Sequence, residues 1–320
     1  MSQTTQQIRK THYLDDWGAF ERAINELTVP ELPEKLRPFQ PPPIEQLNPT
    51  LGRYELVRSI ATNELKELWL VKDRSNGDFR VAKFTWYDPK QNRLCFERES
   101  AALELYKPLS ELSSHLTKIS DSGFVVPGSC MYYLMEAADD VVHLQAIVPA
   151  SYTPRTLNQV IQQNCAAAQH PPASLCLEWM LGVTKGLVEL HAHSLIHCDI
   201  KPSNIIFVNG VPKIADIGLL TSTKLSKTED LIGCGTSGFC VDNEPKTHLS
   251  DIYGFGKTFF ELITGLDRKS FPSLPREYFN RPDSTSWRKL NKIVLKCADM
   301  SAKGRFQTSG DLLDDLYSIR

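Results

Sequence analysis

Two short apolar runs, Ile205–Val208 (IIFV) and residues 211–215 (VPKIA), flank the dipeptide Asn209-Gly210. Asn and Gly tolerate the positive φ angles of a tight turn, so the pair signals a β-hairpin. A hairpin at this point constrains its surroundings strongly, because it draws whatever precedes the first run towards whatever follows the second. LIHCDIKPSN, with Asp199, Lys201 and Asn204, lies on one side, and ADIG, with Asp216, lies on the other. Folded this way, Asp199, Asn204 and Asp216 converge at one edge. Two of them can supply oxygen ligands suited to Mg²⁺, and a further carboxylate remains to orient a hydroxyl. Taken singly, each could equally be a turn or capping residue; the set at this spacing is what points to chemistry.

The chain has 320 residues, 41% of them hydrophobic and 23% charged, with a formal net charge of -2. That is the balance of a globular protein able to bury a large core, without the basic excess that a nucleic-acid partner requires. No apolar run approaches the length of a membrane span, and the N-terminus lacks the apolar core of a secretory signal. Eight cysteines are scattered with no CxxC pair, so neither a zinc site nor a redox dithiol is expected. The expected compartment is a reducing cytoplasm.

Apolar spacing predicts a short docking helix over residues 13–28, followed by a proline-rich extended linker; a disordered tail with one transient helix is the alternative. From Tyr54 the pattern turns β-like: YELVRSI, ELWLVKD, then FRVAKFTWY after an Asn76-Gly77 turn. RLCFERESAALELYKPL reads as a helix stopped near Pro108, with apolar Phe96, Leu103 and Leu105. HLTKISDSG and SCMYYLME are again β-like. Four helices follow in ASLCLEWMLGVTKGLVELHAHS, SDIYGFGKTFFELITG, SWRKLNKIVLKCADM and GDLLDDLYSIR. A small sheet-rich part thus precedes a larger helical one.

HCDIKPSN resembles the catalytic loop of protein kinases, usually HRDLKxxN, and DIG resembles their metal-binding DFG. The likeness runs from about Tyr54 to the C-terminus and is nearest to bacterial Ser/Thr protein kinases. It implies a bilobal α+β kinase fold: residues 1–53 form an N-terminal extension, residues 54–138 a small lobe, and residues 139–320 a helical lobe. It also implies ATP and Mg²⁺ as cofactors and protein substrates with Ser or Thr acceptors. Asp199 would orient the acceptor hydroxyl and Lys201 would contact the γ-phosphate, while Asn204 and Asp216 would bind Mg²⁺. RVAKF resembles the VAIK strand, making Lys83 the phosphate-holding lysine and Glu99 its helical partner, with Glu97 as the alternative. YYLMEAAD resembles the strand entering the hinge, with Met135 as gatekeeper and Glu136 to Ala138 beside adenine; Leu68, Val81 and Ile206 would also belong to the cofactor-binding set. GTSGF resembles the substrate-groove GTPGY, placing Thr236 near Asp199 and Lys201. Asp251 would brace the catalytic loop, and Arg305 matches an arginine of the last inter-helix loop.

Three departures from the pattern stand out. The phosphate-covering loop GxGxxGxV is replaced by ATNELKEL, with Ala61, Asn63 and Lys66 at the glycine positions. Such a loop should cradle a triphosphate less well, since glycine is what lets backbone amides approach phosphate. Two placements are open to Lys66, direct contact with phosphate or exposure to water. Cys198 replaces the Arg of HRD, so activation through an ion pair to that Arg is not expected. Asn243 stands where the APE glutamate should be, leaving Glu244 to pair with Arg305. The expected activity is Ser/Thr protein phosphorylation. A pseudokinase acting as a nucleotide-binding scaffold is the alternative, and Lys201 with GTSGF argues against a small-molecule kinase.

Overall fold

The computed structural model describes residues 41, 42, 44–47, 51–222 and 235–319. The helix expected over residues 13–28 lies outside the described residues. Within the proline-rich stretch one helical turn, α1 (Ile44–Leu47), does form. Ile44 is fully buried with Leu51 against the sheet, and its amide donates to Glu67 Oε1 at 3.2 Å.

Five strands make the small lobe: β1 (Tyr54–Thr62), β2 (Lys66–Asp73), β3 (Phe79–Trp86), β4 (Ile119–Val126) and β5 (Cys130–Glu136). They pair antiparallel in the order β1-β2-β3-β5-β4. Alternation along each strand divides the residues between two faces. Trp69, Val71, Ala82, Phe84, Trp86 and Leu134 build one apolar cluster with Ile44 and Leu51. Leu68, Val81, Lys83, Tyr133 and Met135 point the other way and line a cleft.

Helix α2 (Arg93–Leu112) continues through Pro108 instead of stopping there. Proline removes the amide that would bond the Glu104 carbonyl, but both residues lie on the exposed side, where water can serve that carbonyl. On the opposite side Tyr106 and Ser110 are buried and tie the helix down: the Tyr106 hydroxyl donates to the Thr117 carbonyl at 3.1 Å, and Ser110 Oγ accepts from the Ile119 amide at 3.2 Å. Tertiary contacts therefore override the local stop signal. Phe96 and Leu103 face the core as expected, whereas Leu105 is on the surface.

The second lobe contains α3 (Leu157–Ala166), α4 (Ala173–Ala192), β6 (Leu195–Ile196), β7 (Ile205–Val208), β8 (Val211–Ile214), β9 (Thr221–Ser222), α5 (His248–Thr264), α6 (Ser284–Cys297) and α7 (Ser309–Tyr317). Helix α3 has no counterpart in the sequence reading; Thr156 and Gln159 form a capping box that starts it. Helix α5 runs through the core, buried from Ser250 to Thr264. Gly256 lets it pass close to α6, since a Cβ there would stand 2.7 Å from the Ala298 amide nitrogen. The hairpin forms as expected, with Ile205 opposite Ile214 and φ values of 51° and 77° at Asn209 and Gly210. The Asp139 carboxylate accepts both turn amides at 2.8 Å. Among the described residues no helix is long and apolar enough to cross a membrane.

Candidate active site

The β7–β8 hairpin brings its two ends together as its sequence implies. Preceding it, the turn Pro202–Asn204 fixes Asn204, whose Nδ2 donates to the Asp199 carbonyl and to Asp199 Oδ2, each at 2.9 Å. Following it, the Ala215 amide donates to the Asn204 carbonyl at 2.8 Å and sets Asp216 beside it. His197 Nδ1 accepts from the Asp199 amide at 3.4 Å, so its Nε2, 3.0 Å from the Ala215 carbonyl, carries the proton. One buried imidazole thus ties the two segments to each other.

Asp199 is the centre of a compact cluster. Its Oδ1 accepts from Thr236 Oγ1 at 2.7 Å, and its Oδ2 is 2.9 Å from Lys201 Nζ. Lys201 also donates to Thr236 Oγ1 at 2.7 Å. A carboxylate, an ammonium and a hydroxyl therefore share one open edge. Beneath them the fully buried carboxylate of Asp251 accepts the His197 and Cys198 amides, each at 2.8 Å. Those bonds hold Cys198 at φ 67°, a left-handed conformation that non-glycine residues rarely adopt.

Across the cleft Lys83 Nζ donates to Glu99 Oε1 at 2.7 Å and to Asp216 Oδ1 at 2.8 Å. Burial alone would depress the Lys83 ammonium, but Asp216 and Glu99 outweigh it and hold its pKa well above the usual value. Burial would likewise raise Asp216; the Lys83 and Lys66 ammoniums reverse this and keep it ionised far below the ordinary carboxylate range. Tyr133, its phenol pushed well up by burial, stays protonated and donates to Glu99 Oε1 at 3.3 Å. Glu99 is fully buried, whereas Glu97 lies on the surface and pairs with Arg93 at 3.1 Å. Of the two glutamates, Glu99 is the one brought to Lys83.

Between the lobes lies a cavity of about 190 Å³. Leu68, Val81, Met135, Glu136, Ala138 and Ile206 line it with Lys83, Asn204 and Asp216. Ile60, Tyr133, Tyr152, Pro154 and Thr156 also line it. The sequence reading misses these five. Ile60 could have been found as the apolar residue just ahead of the altered glycine loop. Tyr152 comes from an aperiodic loop with no such signal; its hydroxyl donates to the Ala138 carbonyl at 3.0 Å. Ala61 and Asn63 do not line the cavity: Ala61 is exposed near the end of β1, opposite Leu68, and Asn63 is exposed on the β1–β2 turn. Lys66 is not among the cavity-lining residues either, but its partly exposed side chain reaches the charged cluster, with Nζ 3.7 Å from Glu99 Oε2.

The oxygen donors present suit a hard divalent cation such as Mg²⁺. Because Asn204 spends its Nδ2 on Asp199, its Oδ1 faces away from that bond, and Asp216 keeps Oδ2 beyond the bonds that Lys83 and the Gly218 amide make to Oδ1. Outside the motifs, Arg305 donates to Glu244 Oε2 at 3.1 Å, so the residue following Asn243 does supply the missing carboxylate.

Comparison with known proteins agrees with this geometry. The family model described as protein kinase domain matches residues 123–296. The probable serine/threonine-protein kinase PknB of Lactococcus lactis is 25% identical over 285 residues, covering 82% of this chain and 41% of the relative. Serine/threonine-protein kinase A of Synechocystis is 26% identical over 289 residues, 80% of this chain and 51% of the relative. Serine/threonine-protein kinase PBS1 of Arabidopsis thaliana is 36% identical over 163 residues, 43% of this chain and 34% of the relative. The chain spans about half or less of the length of these relatives.

Proposed function

Since this chain belongs to the protein kinase family, we propose that it transfers the γ-phosphoryl group of ATP to Ser or Thr hydroxyls of protein substrates. The observation that carries the proposal is the Asp199–Lys201–Thr236–Asn204 cluster, which meets at Asn204 the cavity lined by Lys83 and Asp216, with Glu99 bonded to Lys83. The charged and polar groups that phosphoryl transfer requires lie close to one another, which supports this reading.

In this reading the adenine lies in the apolar part of the cavity, between Val81 and Leu68 above and Ile206 below, with the hinge backbone at Glu136 and Ala138 beside it. Lys83, oriented by Glu99, holds the α- and β-phosphates. Asn204 Oδ1 and the Asp216 carboxylate would hold Mg²⁺, which would supply charge neutralisation of the triphosphate. Asp199 Oδ1 exchanges its bond from Thr236 for one from the incoming Ser or Thr hydroxyl and accepts that proton as the new O–P bond forms and the bond from the γ-phosphorus to the bridging oxygen breaks, releasing ADP. Lys201, released from the Thr236 hydroxyl, faces the γ-phosphate. Lys201 and Thr236 favour a protein hydroxyl over a small-molecule acceptor. The complete set of charges favours turnover over a scaffold that only holds nucleotide.

The test is transfer of ³²P from γ-labelled ATP to generic protein substrates, with acid hydrolysis to identify the modified amino acid. Label on Ser or Thr that disappears in Asp199→Ala is the expected result. Equal incorporation by the variant would sink the proposal.

A further inference from the structure

The β1–β2 turn closes on itself in a way that leaves little for a phosphate. Asn63 Oδ1 accepts the amides of Leu65 and Lys66, at 3.1 and 2.8 Å, and the Asn63 amide donates to the Lys66 carbonyl at 2.9 Å. Three backbone donors that a phosphate-cradling loop would present are consumed by the turn. The fold offers a charge in their place. Residues two apart on a strand share a face, and Leu68 lines the nucleotide cavity, so the side chain of Lys66 at the start of β2 is directed into the same cleft.

Its ammonium reaches the middle of the charged cluster. Lys66 Nζ is 3.7 Å from Glu99 Oε2, the one oxygen of that carboxylate without a hydrogen bond. A Cβ added to Gly218 would lie 3.3 Å from Lys66 Nζ, 3.5 Å from Lys83 Nζ and 3.2 Å from Asp216 Oδ1. Two ammoniums therefore flank the Asp216–Gly218 turn and balance two carboxylates. They are held unequally. Lys83 is 6% exposed and bonded at 2.7 and 2.8 Å, while Lys66 is 34% exposed and only loosely paired. When a triphosphate enters, Lys83 is already committed, and Lys66 is the cation free to turn.

We propose that Lys66 is a second phosphate-binding lysine of this site, its ammonium replacing the loop amides as the donor that covers the triphosphate. The proposal rests on the kinase reading given above and adds to it a residue specific to this chain. It makes a signed prediction. If backbone amides carried the loop's role, Lys66→Gly, which restores the kinase-type residue, would tighten ATP binding. If the ammonium carries it, the same substitution weakens binding.

Calorimetric titration with ATP-Mg²⁺ and with adenosine, on the full chain and on Lys66→Gly, Lys66→Met, Lys66→Arg and the surface control Lys72→Met, decides between them. The expected result is about tenfold or greater weakening of ATP in the Gly and Met variants, since a charge-assisted bond to phosphate is lost. Adenosine affinity stays within about twofold, which also reports an intact fold, and the Arg and control variants bind ATP as the parent does. An ATP affinity unchanged or improved in Lys66→Gly and Lys66→Met, with the parent binding ATP, overturns the role of Lys66 and leaves the kinase reading standing. A parent that binds adenosine and ATP not at all overturns both.

Discussion

Replacing Asp251 by Asn removes one formal charge and almost no volume, yet the surroundings of this side chain make the substitution costly. The carboxylate is fully buried, accepts the Cys198 amide at Oδ1 and the His197 amide at Oδ2, each at 2.8 Å, and stands 3.0 Å from His191 Nε2. An Asn amide has a single acceptor oxygen. Whichever way it turns, its NH₂ confronts one of the two backbone amides, which is then buried without a partner. Leaving a buried donor unmet costs about 1–3 kcal/mol, and loss of charge assistance in the surviving bond adds about 1 kcal/mol. The strain at Cys198, of order 1–3 kcal/mol for a non-glycine residue in the left-handed region, is then no longer held by two strong bonds. The expected loss is about 3 kcal/mol, or roughly 4–5 °C in thermal midpoint for a domain of this size. The exposed Asp315→Asn serves as control and should move the midpoint by about 1 °C or less. Because the affected amides lie next to Asp199 rather than the nucleotide cavity, kcat should fall while KM for ATP stays nearly constant. Differential scanning fluorimetry and steady-state kinetics read both. A melting point shifted no more than that of the control would refute the argument that Asp251 holds the catalytic backbone in place.

Three further outcomes follow from the geometry. Lys83→Ala and Asp216→Ala should each reduce phosphate transfer by roughly 100-fold or more while shifting the melting point by only a few degrees, because they act on phosphate and metal rather than on the apolar core; full activity in Asp216→Ala would end the kinase reading. A double-mutant cycle between Glu244→Gln and Arg305→Met should give a coupling energy of about 1–3 kcal/mol in urea unfolding, since the arginine side chain is fully buried; a value near zero would mean that the carbonyls of Asp299, Met300 and Leu249 satisfy Arg305 without the carboxylate. Gly256→Ala should destabilise by about 1–3 kcal/mol through overpacking of α5 against α6, where a Cβ would stand 2.7 Å from both the Ala298 amide nitrogen and Cys297 Cβ; an unchanged unfolding midpoint would show that the helices can part at no cost.

Much of this was legible in the residues because the determining interactions are short-range. Asn209-Gly210 encodes its own turn, and the hairpin it closes carries Asn204 and Asp216 to the same end. Glu99 is separated from Glu97 by helix phase: it shares a face with Leu103, and that face is the buried one. What could not be read depends on partners far away in the chain. Helix α2 survives Pro108 because Tyr106 and Ser110 are anchored by residues 117 and 119, across a loop that local propensity does not see. Tyr152 enters the cavity from a segment with no periodicity, held by the adjacent Thr153 amide, which donates to Asp140 Oδ2 at 3.2 Å, and by Arg58, whose guanidinium donates to the Tyr152 carbonyl at 3.2 Å. Strands β6 and β9, two residues each, exist only as partners for one another.

The departures from the kinase pattern separate according to how far the replacement lies from the residue it replaces. Glu244 stands one position from the missing glutamate, so a small change of backbone direction is enough, and the substitution could be anticipated. Lys66 is subtler, because what replaces a set of backbone amides is a side-chain charge of a different kind. Its direction was nevertheless encoded. Leu68 lines the cavity, Lys66 is two residues before it, and strand parity then sends its side chain to the same face whatever an exposed lysine usually does. An unpaired inward lysine would be expensive, but here Glu99 already has an oxygen to spare, so burial of the second ammonium costs little and adds positive charge where a triphosphate would need it. The loss of the glycines and the turn of Lys66 into the cleft are therefore one structural change: Asn63 closes the loop, closing the loop starts β2 at Lys66, and that register fixes where the charge points.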